Sequence, residues 1–212
     1  MTRTRIMLAD DHTILVEAFR KLLEPHYDVV GAVADGRSLL DVAPQLNPDV
    51  VILDIGMPLM NGLEAGVRLK ELMPTLKLVV LTMNDDPDLA VQAMRTGVSA
   101  YLLKNSAAEE LLRAIQMALK GKTYVTPLIA KGMQDAFIRN PKATGLAKAL
   151  TPRQREVVQL LAEGKSMKEA ADILKIKVRT VAFHKYRAME ELNLGTTAEL
   201  IQFAIKSKIL VK

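Results

Sequence analysis

The chain contains no cysteine and no tryptophan. Without thiols it can form no disulfide, no zinc–thiolate centre and no cysteine nucleophile, and their absence fits a reducing compartment. Only three histidines are present, at 12, 26 and 184. They are far apart in sequence, so no zinc site is expected around His184. His12 is expected to open the first helix rather than to act as a catalytic base. No apolar run approaches the ~20 residues that span a bilayer, and no signal-peptide pattern opens the chain. No GxxxxGK[ST] loop occurs, which argues against a nucleotide hydrolase. These absences lead to the expectation of a soluble cytoplasmic protein without a membrane partner.

What is present is ordinary globular composition: 212 residues, half apolar and a quarter charged. That suits one or two domains. The net charge of +5 hides an asymmetry. Residues 1–120 hold 12 Lys/Arg and 16 Asp/Glu, whereas residues 121–212 hold 17 and 8. An acidic front half and a basic rear half imply different partners, with a polyanion suited to the rear.

The front half alternates. Apolar, β-rich runs at Ile6–Ala9, Val29–Val33, Val50–Leu53, Leu78–Leu81 and Ala100–Leu103 are separated by helical patterns. Ile14, Leu15, Ala18, Phe19, Leu22 and Leu23 share one helical face. Asn61 with Glu64, and Ser106 with Glu109, have capping-box spacing. Asp86-Pro87 reads as a cap followed by proline at the first helical position. Continuous apolar strands alternating with helices predict an α/β flavodoxin-like, doubly wound, five-stranded parallel sheet.

Such sheets bind ligands beyond the carboxyl ends of their strands. The strand-end residues here are Asp10-Asp11, Asp35-Gly36, Asp54, Thr82 and Lys104. Three close carboxylates repel one another and require a compensating charge. A hard cation such as Mg²⁺ suits oxygen ligands and leaves positions for phosphate oxygens. Lys104 can pair with a phosphate, and Thr82 can donate a hydrogen bond to it. Asp54, in LDIGMPLMNG, is the candidate nucleophile, since carboxylates form aspartyl phosphates.

With the Asp10-Asp11 pair, Asp54 in LDIGMP, Asn61-Gly62, Thr82, Tyr101 and Lys104 in place, residues 5–120 resemble the receiver domain of a two-component response regulator. The resemblance implies that Asp54 accepts a phosphoryl group from the phosphohistidine of a sensor histidine kinase. It implies Mg²⁺ held by Asp11 and Asp54 directly, by Asp10 through water, and by the carbonyl of Gly56. Pro58 and Gly62 would shape the loop. Thr82, Tyr101 and Lys104 would sense the phosphoryl group. Two residues depart from the pattern: Met83, where a small residue is common, and Asn105, where proline is common.

From about residue 121 the strand pattern stops. Leu128–Ile138 suits a short helix, and 139–149 (RNPKATGLAKA) an exposed linker. Three further capping boxes follow: Thr151 with Gln154, Ser166 with Glu169, and Thr196 with Glu199. They precede helical periodicities that, with a fourth helix over about 178–192, form a small all-α, four-helix domain. Segments 167–174 and 178–192 are joined only by Lys175-Ile176-Lys177, which reads as a helix-turn-helix. The second of them carries Arg179, Thr180, Ala182, Phe183, His184, Lys185, Tyr186 and Arg187. A basic face of this kind suits double-stranded DNA; a helical bundle with solvated lysines is the plainer alternative.

Leu150-Thr151-Pro152-Arg153, LLAEGKSMKEAADIL and RTVAFHK resemble the LuxR-type DNA-binding domain over residues 149–212. With the receiver, the chain is identified as a member of the NarL/FixJ group. The resemblance implies that Arg179–Arg187 enter the major groove. It also implies that the terminal helix, through Leu200, Ile201, Ala204 and Ile205, forms a dimer contact on DNA. Ala182, Lys177 and Met167 depart from the common lysine, serine and asparagine.

The resulting layout is a receiver at 1–122, a linker at 123–148 and a DNA-binding domain at 149–212. The function expected is phosphorylation-dependent homodimerisation and transcription regulation. The chain would be no enzyme beyond catalysing its own phosphoryl acceptance and hydrolysis. An alternative is a DNA-binding regulator that dimerises constitutively without phosphorylation. A phosphatase with an aspartyl-phosphate intermediate is disfavoured, because Ile55-Gly56 follows Asp54 where a second acid would be needed.

Overall fold

A computed structural model describes residues 3–139 and 150–210. They fall into two compact units, divided between residues 143 and 144, and each unit is described by itself.

The first unit runs β1 (Arg5–Ala9), α1 (Thr13–Leu23), β2 (Asp28–Val33), α2 (Gly36–Leu46), β3 (Val50–Leu53) and α3 (Gly62–Leu72). It continues through β4 (Lys77–Thr82), α4 (Pro87–Arg95), β5 (Ala100–Leu103), α5 (Ala107–Leu119), β6 (Tyr124–Val125) and α6 (Pro127–Arg139). The strands form one parallel sheet in the order β2-β1-β3-β4-β5-β6. All four residues of β3 are buried, as a strand covered on both faces requires. Side chains alternate between the faces. Ile6, Leu8, Val50, Ile52, Val79 and Leu81 join Val16, Phe19 and Leu23 of α1 and Leu111 and Ile115 of α5 in one core. On the other face Leu53 and Leu78 meet α3 at Gly66.

The doubly wound parallel sheet is as expected, but it has six strands. Tyr124–Val125, within the stretch read as linker, pairs with Ala100 and Tyr101 at the β5 edge. The Thr126 hydroxyl then accepts from the Leu103 N–H (3.3 Å) and donates to Glu110 (2.8 Å). Proline 127 opens α6, which packs along α4. The first unit therefore extends past residue 122. A two-residue strand is too short for a period to register in sequence.

Smaller differences have local causes. Ser106 makes no cap to a helical N–H; its hydroxyl donates to the Leu103 carbonyl (3.2 Å). In α1 the core stripe is Val16, Phe19 and Leu23, whereas Ile14 and Ala18 face outward. Asn61 caps α3 by accepting from the Glu64 N–H, and Asp86 caps α4 ahead of Pro87. The linker expected over 139–149 lies outside the described residues, apart from the backbone of Arg139 that ends α6.

The second unit is α7 (Pro152–Ala162), α8 (Met167–Leu174), α9 (Val178–Glu191) and α10 (Thr197–Lys206). All three expected capping boxes form, at Thr151, Ser166 and Thr196. Lys175 ends α8 in the left-handed region, at φ 52°, which turns the chain into α9. Arg153 donates to the Leu174 carbonyl (3.0 Å) while its guanidinium pairs with the buried Glu156. That contact fixes the end of α8 relative to α7. Gln154 donates to Glu191 (3.0 Å) and anchors the far end of α9. Lys177 precedes α9 without a side-chain cap. Leu200 and Ala204, expected at a dimer contact, are fully buried in this unit's own core. The apolar period of α10 belongs to α7, against which it packs. Only Ile201 and Ile205 of the expected contact keep surface, with Ile205 half exposed.

Candidate phosphoacceptor site and nucleic-acid-binding helix

The residues at the carboxyl edge of the sheet are held by the sheet's own ladder. The Asp10 N–H donates to the Val33 carbonyl (3.0 Å), Asp54 to Ala9 (2.8 Å) and Lys104 to Thr82 (2.8 Å). Each residue stands one position beyond its strand yet remains backbone-pinned. Asp10, Asp54, Thr82 and Lys104 are all buried. Asp11 is more open.

The Lys104 ammonium lies 2.8 Å from Asp10 Oδ2 and 2.9 Å from Asp54 Oδ2. Burial pushes the Asp54 carboxyl above the usual carboxylate range. The Lys104 charge and hydrogen bond pull it down, Asp10 pushes it up, and the Gly56 N–H pulls it down again. One donor atom each from Asp10, Asp11, His12 and Asp54 lies within 4.8 Å of the others. His12 Nδ1 is 3.0 Å from Asp10 Oδ1 and 3.1 Å from Asp11 Oδ1. It stands at the head of α1 as expected, but its ring turns back to the acids. Three carboxylates converging from two strand ends fit a hard divalent cation that retains water.

The loop after Asp54 is shaped by close backbone approach. A Cβ at Gly62 would lie 1.9 Å from the Asp54 carbonyl oxygen, and one at Gly36 would lie 2.2 Å from that of Met60. Only glycine fits either place. Gly62 also donates to the Ile55 carbonyl (3.0 Å). Met83 is largely exposed.

Thr82 and Tyr101 are joined through one residue that sequence reading missed. The Asn84 N–H donates to Thr82 Oγ1 (3.1 Å), and the Tyr101 hydroxyl donates to the Asn84 carbonyl (3.0 Å). Tyr101 is fully buried, and burial, with Asp86, Asp54 and Asp85 nearby, pushes its phenol up strongly. Backbone groups of an ordinary loop residue carry no sequence signal, so Asn84 could not be singled out.

In the second unit, the α9 residues divide by helical angle. Val181, Ala188 and Met189 face the core. Arg179, Phe183, Tyr186 and Arg187 form the outward stripe, and Thr180, Ala182, His184 and Lys185 are half-buried at its flanks. Burial and the Arg153 charge lower the His184 imidazole, which Glu156 partly opposes. His184 is thus partly covered and lies within reach of the α7 charges Arg153 and Glu156. The sequence reading assigned all eight to one surface because periodicity alone does not separate stripe from flank.

The comparisons agree with both halves. Residues 6–116 match the response regulator receiver domain, and residues 148–204 match the bacterial regulatory proteins of the luxR family. The chain is 33% identical over 214 residues to the oxygen regulatory protein NreC of Staphylococcus carnosus, covering 97% of this chain and 99% of that one. A solved structure of the RcsB response regulator of Salmonella typhimurium is 27% identical, covers all of both chains and has a TM-score of 0.63. RcsB of Salmonella enterica serovar Typhimurium, bound to a promoter in the presence of the phosphomimetic BeF₃⁻, is 26% identical with a TM-score of 0.62. That likeness covers 98% of this chain and 100% of that one. These matches, over both the parallel-sheet unit and the four-helix unit, make this chain a member of the NarL/FixJ-type response regulators, with a LuxR-type DNA-binding domain.

Proposed function

We propose that Asp54 accepts a phosphoryl group from the phosphohistidine of a sensor histidine kinase, and that the phosphorylated chain homodimerises to bind double-stranded DNA. The observation that carries this reading is the placement of Asp54. It is buried and backbone-pinned, 2.9 Å from the Lys104 ammonium, and clustered with Asp10 and Asp11.

An Asp54 carboxylate oxygen would attack phosphorus. The O–P bond forms as the P–N bond to the kinase imidazole breaks, and the leaving nitrogen takes up a proton. Asp10, Asp11, Asp54 and the carbonyl of Gly56 would hold Mg²⁺, which when bound supplies positive charge to the phosphoryl oxygens. Lys104 is already positioned to shift from the carboxylates to a phosphoryl oxygen. The Thr82 hydroxyl, turned toward the same oxygens, would release the Asn84 N–H it now accepts from. Asn84 also anchors the Tyr101 hydroxyl, so the charge at Asp54 is coupled to the β4–α4 loop. Beyond acceptance and hydrolysis of its own phosphoryl group, the chain has no enzymatic role in this reading.

The RcsB complex with a promoter supports DNA as the partner of α9. Ile201 and Ile205 are the surface residues of α10 left for a dimer contact. Dimerisation would couple two modest DNA affinities through effective concentration. Among the described residues no helix is long and apolar enough to cross a membrane; a cytoplasmic location is part of the proposed reading.

The test is intact mass after incubation with Mg²⁺ and a small acyl-phosphate donor, beside Asp54→Ala. One added phosphoryl group in the parent alone, with tighter DNA binding, is the expected result. No addition from either the small donor or a kinase donor would leave a receiver that acts without phosphorylation.

A further inference from the structure

The outward stripe of α9 is not uniformly polar. Arg179, Phe183 and Tyr186 stand at i, i+4 and i+7, opposite the buried Val181 and Ala188. Phe183 is 60% exposed at the centre of the stripe, one turn after Arg179 and one turn before Arg187. Its ring meets the His184 ring edge-on, at 5.4 Å between centroids. His184 is half-buried beneath it, so the phenylalanine rests on a partly covered ring and is presented outward. Its neighbours on the stripe have polar company. The Lys185 ammonium lies 5.2 Å from the Tyr186 ring centre, and Arg187 pairs with Glu190 at 2.7 Å. Phe183 is apolar and has no polar atom with which to read a hydrogen-bond pattern.

On the reading that α9 enters a DNA groove, the flanking cations sit against phosphates, and Phe183 is left facing the base edges. The major groove offers one apolar group at those edges, the C5-methyl of thymine. The helix Val178–Glu191 contains neither asparagine nor glutamine, the side chains that pair bidentately with adenine. An A·T pair facing this helix therefore finds no bidentate partner for its adenine, and its thymine methyl is the feature that an apolar side chain can read. We infer that Phe183 packs against the 5-methyl group of a thymine in the major groove, so that each half-site carries an obligatory thymine read by its methyl. This inference rests on the DNA-binding reading above, and the experiment separates the two.

The full chain, treated with Mg²⁺ and an acyl-phosphate donor, is used to select a site from a random duplex pool. Each thymine of that site is then replaced singly by deoxyuridine, which removes only the methyl. The expected result is one position per half-site where binding weakens about three- to tenfold, the scale of one lost apolar contact. Phe183→Ala should bind the thymine duplex more weakly and no longer distinguish uracil from thymine. Phe183→Leu should retain part of the distinction. The helical signal of both variants should match the parent, since the side chain is exposed. If the parent binds every deoxyuridine duplex as well as the thymine duplex, the inference falls while DNA binding stands. A wedge that unstacks bases, indifferent to the methyl, would give that outcome. A uracil penalty that survives unchanged in Phe183→Ala also overturns it, by assigning the methyl to another residue. If the pool yields no bound DNA, with or without the donor, both readings fall together.

Discussion

The Lys104 ammonium bridges Asp10 and Asp54, 2.8 Å from one carboxylate and 2.9 Å from the other, with 1% of the lysine side chain exposed. It is the charge that lets two buried acids face each other. Removing one member of a buried ionic cluster leaves the others uncompensated, at a cost of about 3 kcal/mol or more. Lys104→Met should therefore lower metal-free stability by roughly that amount in urea unfolding. Millimolar Mg²⁺ should restore more stability to the variant than to the parent, because the cation no longer competes with an ammonium. Equal stability of the two metal-free proteins would show that the bridge contributes nothing.

Gly62 is fixed by space rather than by chain flexibility. A Cβ there would meet the Asp54 carbonyl oxygen at 1.9 Å, and a backbone atom cannot rotate away. Gly62→Ala must push the Asp54 backbone off its 2.8 Å bond to the Ala9 carbonyl. A loss of about 2–4 kcal/mol is expected, with misplacement of the carboxylate. Denaturant midpoints measure the first, and phosphoryl uptake from a small donor measures the second. A variant as stable and as readily phosphorylated as the parent would contradict the packing described.

The sheet was legible in sequence because β1, β3, β4 and β5 are buried, nearly continuous apolar runs and the helices α3 and α4 open on the caps Asn61 and Asp86. The acidic site was legible for a related reason: in a parallel sheet every strand points its carboxyl end at the same edge, so strand order alone brings Asp10, Asp54, Thr82 and Lys104 together. What sequence could not show depends on tertiary partners. Leu200 and Ala204 look like any apolar helix face, and only the position of α7 decides that they are core rather than dimer surface. Ser106 has the spacing of a cap, yet the Leu103 carbonyl captures its hydroxyl. Asn84 connects Thr82 to Tyr101 through backbone atoms, which every residue possesses.

The sixth strand makes a prediction about where the receiver ends. Ile129 and Ala136 of α6 are buried, and Thr126 hydrogen-bonds both Leu103 and Glu110. A fragment ending at residue 122 loses these contacts and exposes the β5 edge. It should be less stable than a fragment ending at residue 139 by about 3 kcal/mol, the scale of one large and one small buried side chain plus their hydrogen bonds. Thermal unfolding of the two fragments decides. Equal midpoints would show that β6 and α6 are dispensable to the fold.

The Tyr101 hydroxyl gives a test of the loop connection. Its donation to the Asn84 carbonyl is the link between the buried ring and the β4–α4 loop. Tyr101→Phe keeps the ring and removes the donor, at a cost of about 1 kcal/mol. Amide exchange at Asn84 should then accelerate, while exchange in the β5 core stays unchanged. Because the phenol is pushed far up by burial, absorbance titration of the folded parent should leave Tyr101 un-ionised through the range in which the tyrosines of the unfolded chain titrate. Early ionisation of all four tyrosines would sink this description of the site.

The last turn before α10 gives a pH test that is independent of the acidic site. One Glu199 oxygen accepts from the Gly195 N–H (2.7 Å) and the Thr196 N–H (2.9 Å). These backbone bonds, with a smaller contribution from the Thr196 side chain, hold its carboxyl below the usual glutamate range. A folded value below the unfolded one means that the unfolded chain binds protons first as pH falls. Stability from this cap is therefore complete above the unfolded glutamate value, about pH 4.3, and is lost as pH falls through the lower folded value. The Gly195 and Thr196 amide resonances should titrate together, with a midpoint below that of a free glutamate. Glu199→Gln should abolish the titration but keep the helix, since an amide oxygen also accepts in a capping box. A midpoint at or above the free value would mean that the two N–H bonds do not form in solution, and α10 would then start without its reciprocal cap.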